Sequence, residues 1–126
     1  MHDPSPERFP KSRRVVRQRD FDRTFKTGRV IADSALVVHA TPNTLGHWRL
    51  GLSMSRKVGN AVVRNRWKRL IREAFRRQFP SEKLSGQASP QECFDLVIRP
   101  RKGATADYQA IYKSLANCSR RLGRSN

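Results

Sequence analysis

The run AVVRNRWKRLIREAFRR, residues 61–77, restricts the fold more than any other part of the chain. At 100° per residue it gathers Val63, Trp67, Leu70, Ile71, Ala74 and Phe75 on one side. Asn65, Arg69, Arg72 and Arg76 lie opposite. Arg66 and Arg77 flank that polar face on one side, Arg64 and Lys68 on the other. A helix with this pattern has to lay its apolar side on another layer of the fold. Its span is about 60–79, with Asn60 as the N-cap and Pro80 as the stop.

The layer it needs is written on either side. Phe21 and Phe25, four apart, and Gly28 as a stop mark a short helix at about 18–27. RVIADSALVVHA is rich in β-branched residues and reads as two strands, about 29–33 and 35–41, with ADS as a tight turn. TPNTLG is a turn cluster. In HWRLGLSMS the residues Trp48, Leu50, Leu52 and Met54 alternate with Arg49, Gly51 and Ser53, the period of a strand. SEKLSGQASPQE is a polar loop, and CFDLVIRP is a fourth strand with Phe94, Leu96 and Ile98 on one face. Apolar residues at 108, 111, 115, 118 and 122 make a last amphipathic helix, with Gly123 just past its end. The order α-β-β-β-α-β-α is that of an α+β fold, a two-layer sandwich of one four-stranded sheet and helices. There are no internal repeats, and 126 residues suit one domain.

Charge narrows the partners. The chain carries 27 Lys and Arg against 10 Asp and Glu, a net +17, which favours a polyanion. Over residues 61–77 seven cations face one acid, Glu73. An ordinary solvated helix face mixes signs, because like charges at i,i+4 cost about 0.2–0.5 kcal/mol per pair. Six of the seven are arginines, whose planar fork grips phosphate oxygens in pairs or stacks on a base. A membrane-binding helix would need large apolar residues free to insert, and here they are committed to the core. No stretch approaches the roughly 20 apolar residues of a membrane span. MHDPSPERFPKSRRVV lacks the apolar run of a secretory signal and reads as a loose, proline-punctuated tail. A cytoplasmic home is the default. Nothing reads as a helix-turn-helix or zinc finger, so RNA is favoured and no DNA partner is expected.

A nuclease site on the protein itself is disfavoured. Two-metal hydrolysis needs clustered carboxylates, and the ten acids are scattered. The closest pair, Asp20 and Asp22, point to different sides of a helix. His2, His39 and His47 show no ligand spacing, and Cys93 and Cys118 read as small core residues. Trp48 and Trp67 recur with core positions. The composition also permits an RNA-binding or ribosome-associated structural protein with no part in cleavage.

GLSMSRKVGNAVVRNRWKRLIREAF, residues 51–75, closely resembles the signature of the bacterial ribonuclease P protein family, above all in RNR (Arg64, Asn65, Arg66) between KVGNAV and KRLIRE. DFDRTFKTGR resembles that family's first helix and turn, and FDLVIRPRKGATADYQAIYKSL its last strand and helix. The resemblance spans residues 9–122, leaving a flexible tail at 1–8 and a short one at 123–126. It implies a left-handed βαβ crossover, against the general right-handed rule. It also implies a protein that assists a catalytic RNA. The holoenzyme removes the 5′ leader of precursor tRNA by Mg2+-dependent hydrolysis, with the active site on the RNA and no catalytic residue in the protein. By this resemblance Arg64, Asn65, Arg66, Lys68, Arg69 and Arg72 contact the catalytic RNA, with Arg56, Lys57 and Arg76 extending the patch. The leader cleft maps onto Arg17, Phe21, Phe25, Val37 and His39. Family members often carry tyrosine where this chain has His39, and an imidazole offers less apolar area for stacking. Magnesium is expected mainly on the RNA, with Asp20 or Asp22 as the protein groups nearest the cleft.

Overall fold

The structure is a computed structural model; it describes residues 11–79 and 93–123. The expected tail at 1–8, the loop at 81–92 and residues 124–126 lie outside the described residues. The elements are α1 (Gln18–Thr27), β1 (Arg29–Ala32), β2 (Leu36–Asn43), β3 (Arg49–Leu52), α2 (Ala61–Gln78), β4 (Cys93–Pro100) and α3 (Tyr108–Gly123). This is the expected order. Two 3-10 turns, Lys11–Arg13 and Arg56–Val58, are additions that no hydrophobic period announces.

The sheet runs β1-β2-β4-β3. β1 and β4 both pair antiparallel with β2, in the registers Ile31↔Val38 and Val38↔Ile98. β3 pairs parallel with β4, Leu50 beside Leu96, so the connection between them, through α2, is a crossover. One sheet face is the core. Leu36, Val38, Ala40, Leu50, Leu96 and Ile98 meet Trp67, Ile71 and Phe75 of α2 and Ile111, Leu115 and Leu122 of α3. Full burial of side chains this size is worth about 1.5–3 kcal/mol each. The opposite face carries Val37, His39 and Thr41 from β2, with Asp95, Val97 and Arg99 from β4, and α1 crosses it.

Several boundaries differ from expectation for local reasons. β2 runs on through Pro42 to Asn43, into the expected turn. Pro42 lacks a donor, but its nitrogen faces the side where β1 has already ended at Arg29↔Ala40, so no ladder bond is lost. Gly123 is the last residue of α3, not a residue beyond it. Gly28 follows α1 with extended backbone; it is needed for space, since a Cβ would stand 2.4 Å from the Thr24 carbonyl oxygen. The ADS turn is real: Asp33 accepts from the N–H groups of Ala35 and Leu36 at 2.9 and 3.0 Å.

The loose-tail reading fails over residues 12–15. Val15 is buried, and Arg13 is buried with its guanidinium donating to the carbonyls of Trp48 and Phe79 and lying 5.4 Å from the centre of the Phe75 ring. Phe79 closes α2, so Arg13 meets the negative end of that helix's dipole. This arginine is a structural cap, masked in the sequence by the basic residues around it.

Candidate nucleic-acid interface

α2 begins where Asn60 accepts from the Val63 N–H at 3.0 Å, as its N-cap position predicts. Trp67, Ile71, Ala74 and Phe75 are buried and Leu70 is half-buried, which sets the rotation of the helix. Asn65, Arg66, Arg69 and Arg72 consequently face solvent, with Arg64 and Lys68 half-buried at the margins. Arg64 is held by its Nε, which donates to the Gly59 carbonyl at 3.1 Å. Val63 sits 37 % exposed, lying against Gly59 rather than in the core. Just before the helix, Ser55 accepts from the Lys57 N–H and forms the 3-10 turn that exposes Arg56 and Lys57 beside it.

Of the described acids, Glu73 neutralises one end of this face and the others are engaged away from it. Glu73 binds Arg76 and Arg77, each at 2.6 Å. Burial pushes its carboxyl up, but the two guanidiniums outweigh this and hold it below the ordinary value. Arg76 is thereby the most compensated member of the expected patch. Asp95 is fully buried and takes Arg49 in a two-point grip at 2.8 and 2.6 Å, while Arg49 also reaches Asp20 of α1 at 3.3 Å. Asn43 donates to the same Asp95 at 2.7 Å. The Asp95 bonds raise the Arg49 pKa. Asp107 caps the start of α3 by accepting from the Ala110 N–H.

This Asp95–Arg49–Asp20 group fastens the first turn of α1 to the sheet. Thr24 and Thr41 share a hydrogen bond at 2.8 Å in the middle. At the far end Phe25, 41 % exposed, lies over His39 with ring centres 4.6 Å apart. His39 and Val37 are each 7 % exposed and form the floor, and neither imidazole nitrogen has a hydrogen-bond partner among the described residues. Burial, with Arg99 nearby, holds the imidazole below its ordinary pKa. Phe21 sits apart from this pair, against Gly51 of β3. Arg17 is exposed at the N-cap of α1 and makes no side-chain cap bond.

A ribonuclease P family model matches residues 9–123. The chain is 39 % identical over 108 residues to a ribonuclease P protein component of Streptococcus thermophilus, covering 85 % of this chain and 89 % of that one. It is 35 % identical over 106 residues to that of Listeria innocua, covering 83 % of each. The fold is similar to the Staphylococcus aureus RNase P protein, with TM-score 0.68 and 31 % identity over 90 % of this chain and all of that one. It matches the Thermotoga maritima protein equally well, at TM-score 0.68 and 32 % identity. The chain belongs to the bacterial ribonuclease P protein family. Its members are protein components of the tRNA-processing ribonucleoprotein endoribonuclease, and ribonuclease P RNA is the partner that membership brings.

The residues expected from the ribonuclease P signature fall on the outer face of α2 with the 3-10 turn before it, and along α1 and the sheet, where Phe25, His39 and Val37 come together while Phe21 lies against Gly51 and Arg17 stands exposed at the N-cap. Asp20 and Asp22 do not form a metal cradle. Asp20 faces Arg49 and Arg23, and Asp22 accepts from Gln18 at 2.9 Å. Among the described residues no three His, Cys, Asp or Glu side chains stand close enough to hold a metal ion. Features of this chain that sequence reasoning missed are the Arg49–Asp95 pair and a hollow of about 410 Å³ at the carboxyl ends of β3 and β4. Its rim includes Ser53, Lys57, Arg99, Arg101 and Lys102, with Trp67 as an apolar wall. The basic run RPRK was the available signal, and the parallel pairing that puts it beside Ser53 was not legible. No helix among the described residues is long and apolar enough to cross a membrane.

Proposed function

We propose that α2 docks the chain on ribonuclease P RNA and that the α1–sheet cleft holds the 5′ leader of precursor tRNA. Arg64, Asn65, Arg66, Lys68, Arg69 and Arg72 make the RNA-facing surface, extended by Arg56 and Lys57, with Arg76 contributing least because Glu73 already holds it. Arg17, Phe21, Phe25, Val37 and His39 line the leader side, Phe25 offering the accessible ring. One observation carries the reading: a helix pinned by its core face presents Arg66, Arg69 and Arg72 outward with no described acid paired to them, while the described acids make caps, turns, hydrogen bonds and ion pairs of their own.

The protein's contribution is then binding energy and charge, applied away from the reacting bond. Water attacks the phosphorus at the leader–tRNA junction, and the bond from phosphorus to the leader's 3′ oxygen breaks. The tRNA keeps the 5′-phosphate and the leader leaves with a 3′-hydroxyl. Magnesium would supply Lewis acidity and an activated water to this reaction; it is assigned to the RNA, a reading supported by Asp20 being turned to Arg49 and Arg23 and Asp22 to Gln18. The cations on the protein offset repulsion between two polyanions and hold the leader in place. This work is cytoplasmic.

Phe25→Ala tests the cleft. Loss of a stacked base costs about 1–3 kcal/mol, so holoenzyme carrying this variant is expected to bind precursor tRNA roughly 5- to 150-fold more weakly while its affinity for mature tRNA holds. Equal loss for both ligands would assign Phe25 to packing alone.

A further inference from the structure

Two consecutive residues of α1 are seated by β3. Arg49 and Gly51 lie two apart on that strand and share a sheet face. Arg49 reaches the Asp20 carboxylate at 3.3 Å, and the Phe21 ring rests over Gly51, where a Cβ would stand 3.3 Å from two ring carbons. Arg49 is itself held. Its Nε donates to one oxygen of the buried Asp95 at 2.8 Å and its Nη2 to the other at 2.6 Å. The same Nη2 is the nitrogen that reaches Asp20. Asn43 donates to Asp95 at 2.7 Å, so β2 and β3 both fasten the group at its base.

On α1 these positions fall into two rows, each of residues four apart. Asp20 and Thr24 form a polar row: Asp20 meets Arg49, and the buried Thr24 shares its 2.8 Å hydrogen bond with Thr41 of β2. Phe21 and Phe25, one step round the helix, form an aromatic row seated on Gly51 and on His39. Two anchors along one row fix both the pitch of the helix and its rotation about its own axis. With Thr24 alone, rotation is left to packing, and Phe25 is 41 % exposed, so packing holds that ring weakly. A buried ion pair is seldom the most stabilising way to join two layers, since apolar residues of similar volume often serve as well. Its distinct contribution is direction: a planar fork gripped at two points presents its remaining N–H along one line. Among the described residues Asp20–Arg49 is the one ion pair between α1 and the sheet.

We infer that Asp20, anchored on Arg49 and Asp95, is a positioning residue: it sets the rotation of α1, aims the Phe25 ring over the sheet, and thereby sets how strongly the holoenzyme prefers precursor over mature tRNA. Asp20 acts through Phe25 and not by contact with RNA; a carboxylate repels phosphate, so its own charge works against the binding it improves. The inference rests on the proposed function for what Phe25 touches.

The test measures precursor and mature tRNA binding by holoenzyme reconstituted from the full chain and the cognate ribonuclease P RNA. It compares the parent with Asp20→Ala, Asp20→Asn, Phe25→Ala and the variant carrying both Asp20→Ala and Phe25→Ala. Arg49 is left in place, because its removal would strand the buried Asp95 charge. Melting temperatures confirm folding, and Asp20→Asn carries the test should Asp20→Ala not fold. Alanine and asparagine remove the same charge, but asparagine keeps an oxygen that accepts from Arg49. Asp20→Ala is expected to cut the preference for precursor tRNA roughly 2- to 10-fold, the lower part of the range for coupled neighbours. Asp20→Asn should cut it less, and Asp20→Ala should add nothing once Phe25 is alanine. A folded Asp20→Ala with the parent's preference, or a loss that adds fully to that of Phe25→Ala, overturns the inference. So does tighter precursor binding by the same factor in Asp20→Ala and Asp20→Asn, which is the signature of charge alone. In those three outcomes the cleft stands so long as Phe25→Ala still weakens precursor tRNA selectively. If Phe25→Ala weakens both tRNAs equally, the cleft reading itself falls and takes the inference with it.

Discussion

His39 lies under the Phe25 ring, neither imidazole nitrogen has a partner among the described residues, and its pKa is held below 6.5 by burial and by Arg99. The unfolded chain takes up a proton near 6.5, while the folded chain resists until lower pH. Stability is therefore full above about 6.5 and is lost as pH falls from there toward the folded value. Parent protein is expected to lose more melting temperature than His39→Phe between pH 7.5 and 5.5; equal losses would show that the folded imidazole titrates normally. The family resemblance placed His39 in the cleft, and in the structure strand alternation sets it on the face opposite Val38. Its burial depends on Phe25 arriving from another element, which no local pattern reveals. Arg49 and Asp95 were hidden for the same reason: 46 residues apart in sequence, they meet only because β3 and β4 pair in parallel.

At the scale of elements, α2 was the most legible. Its cap, its buried face and its cationic face all follow from one amphipathic period, and the structure differs mainly at Val63, which turns toward Gly59. The 3-10 turns and the docked segment 12–15 were opaque because they are held by single contacts, such as Arg13 on the end of α2, and not by a repeat. The Asn60 cap sets where α2 starts, and with it where Arg64, Asn65 and Arg66 point. Asn60→Ala removes the bond to the Val63 N–H and should cost about 1 kcal/mol, lowering Tm by about 3–5 °C in a domain of this size. An unchanged Tm in thermal melts would mean that packing alone fixes the helix start.

For the molecule as a whole, +17 on 126 residues is a standing repulsion. A ligand bound only by the folded state stabilises it by mass action, about 1.4 kcal/mol at ten times its Kd. Millimolar phosphate or sulfate is accordingly expected to raise Tm above the value in chloride at equal ionic strength. Equal Tm values would show general screening without anion sites. The same charge explains how a chain with its described acids tied into structure takes part in phosphodiester hydrolysis: the reactive groups sit on the RNA and the protein supplies the grip. The most direct measurement combines purified protein, ribonuclease P RNA and precursor tRNA at low magnesium, following leader release. Rapid release is expected only when protein and RNA are both present. Equally rapid cleavage by the protein freed of RNA, or no stimulation of the RNA by the protein, would contradict it.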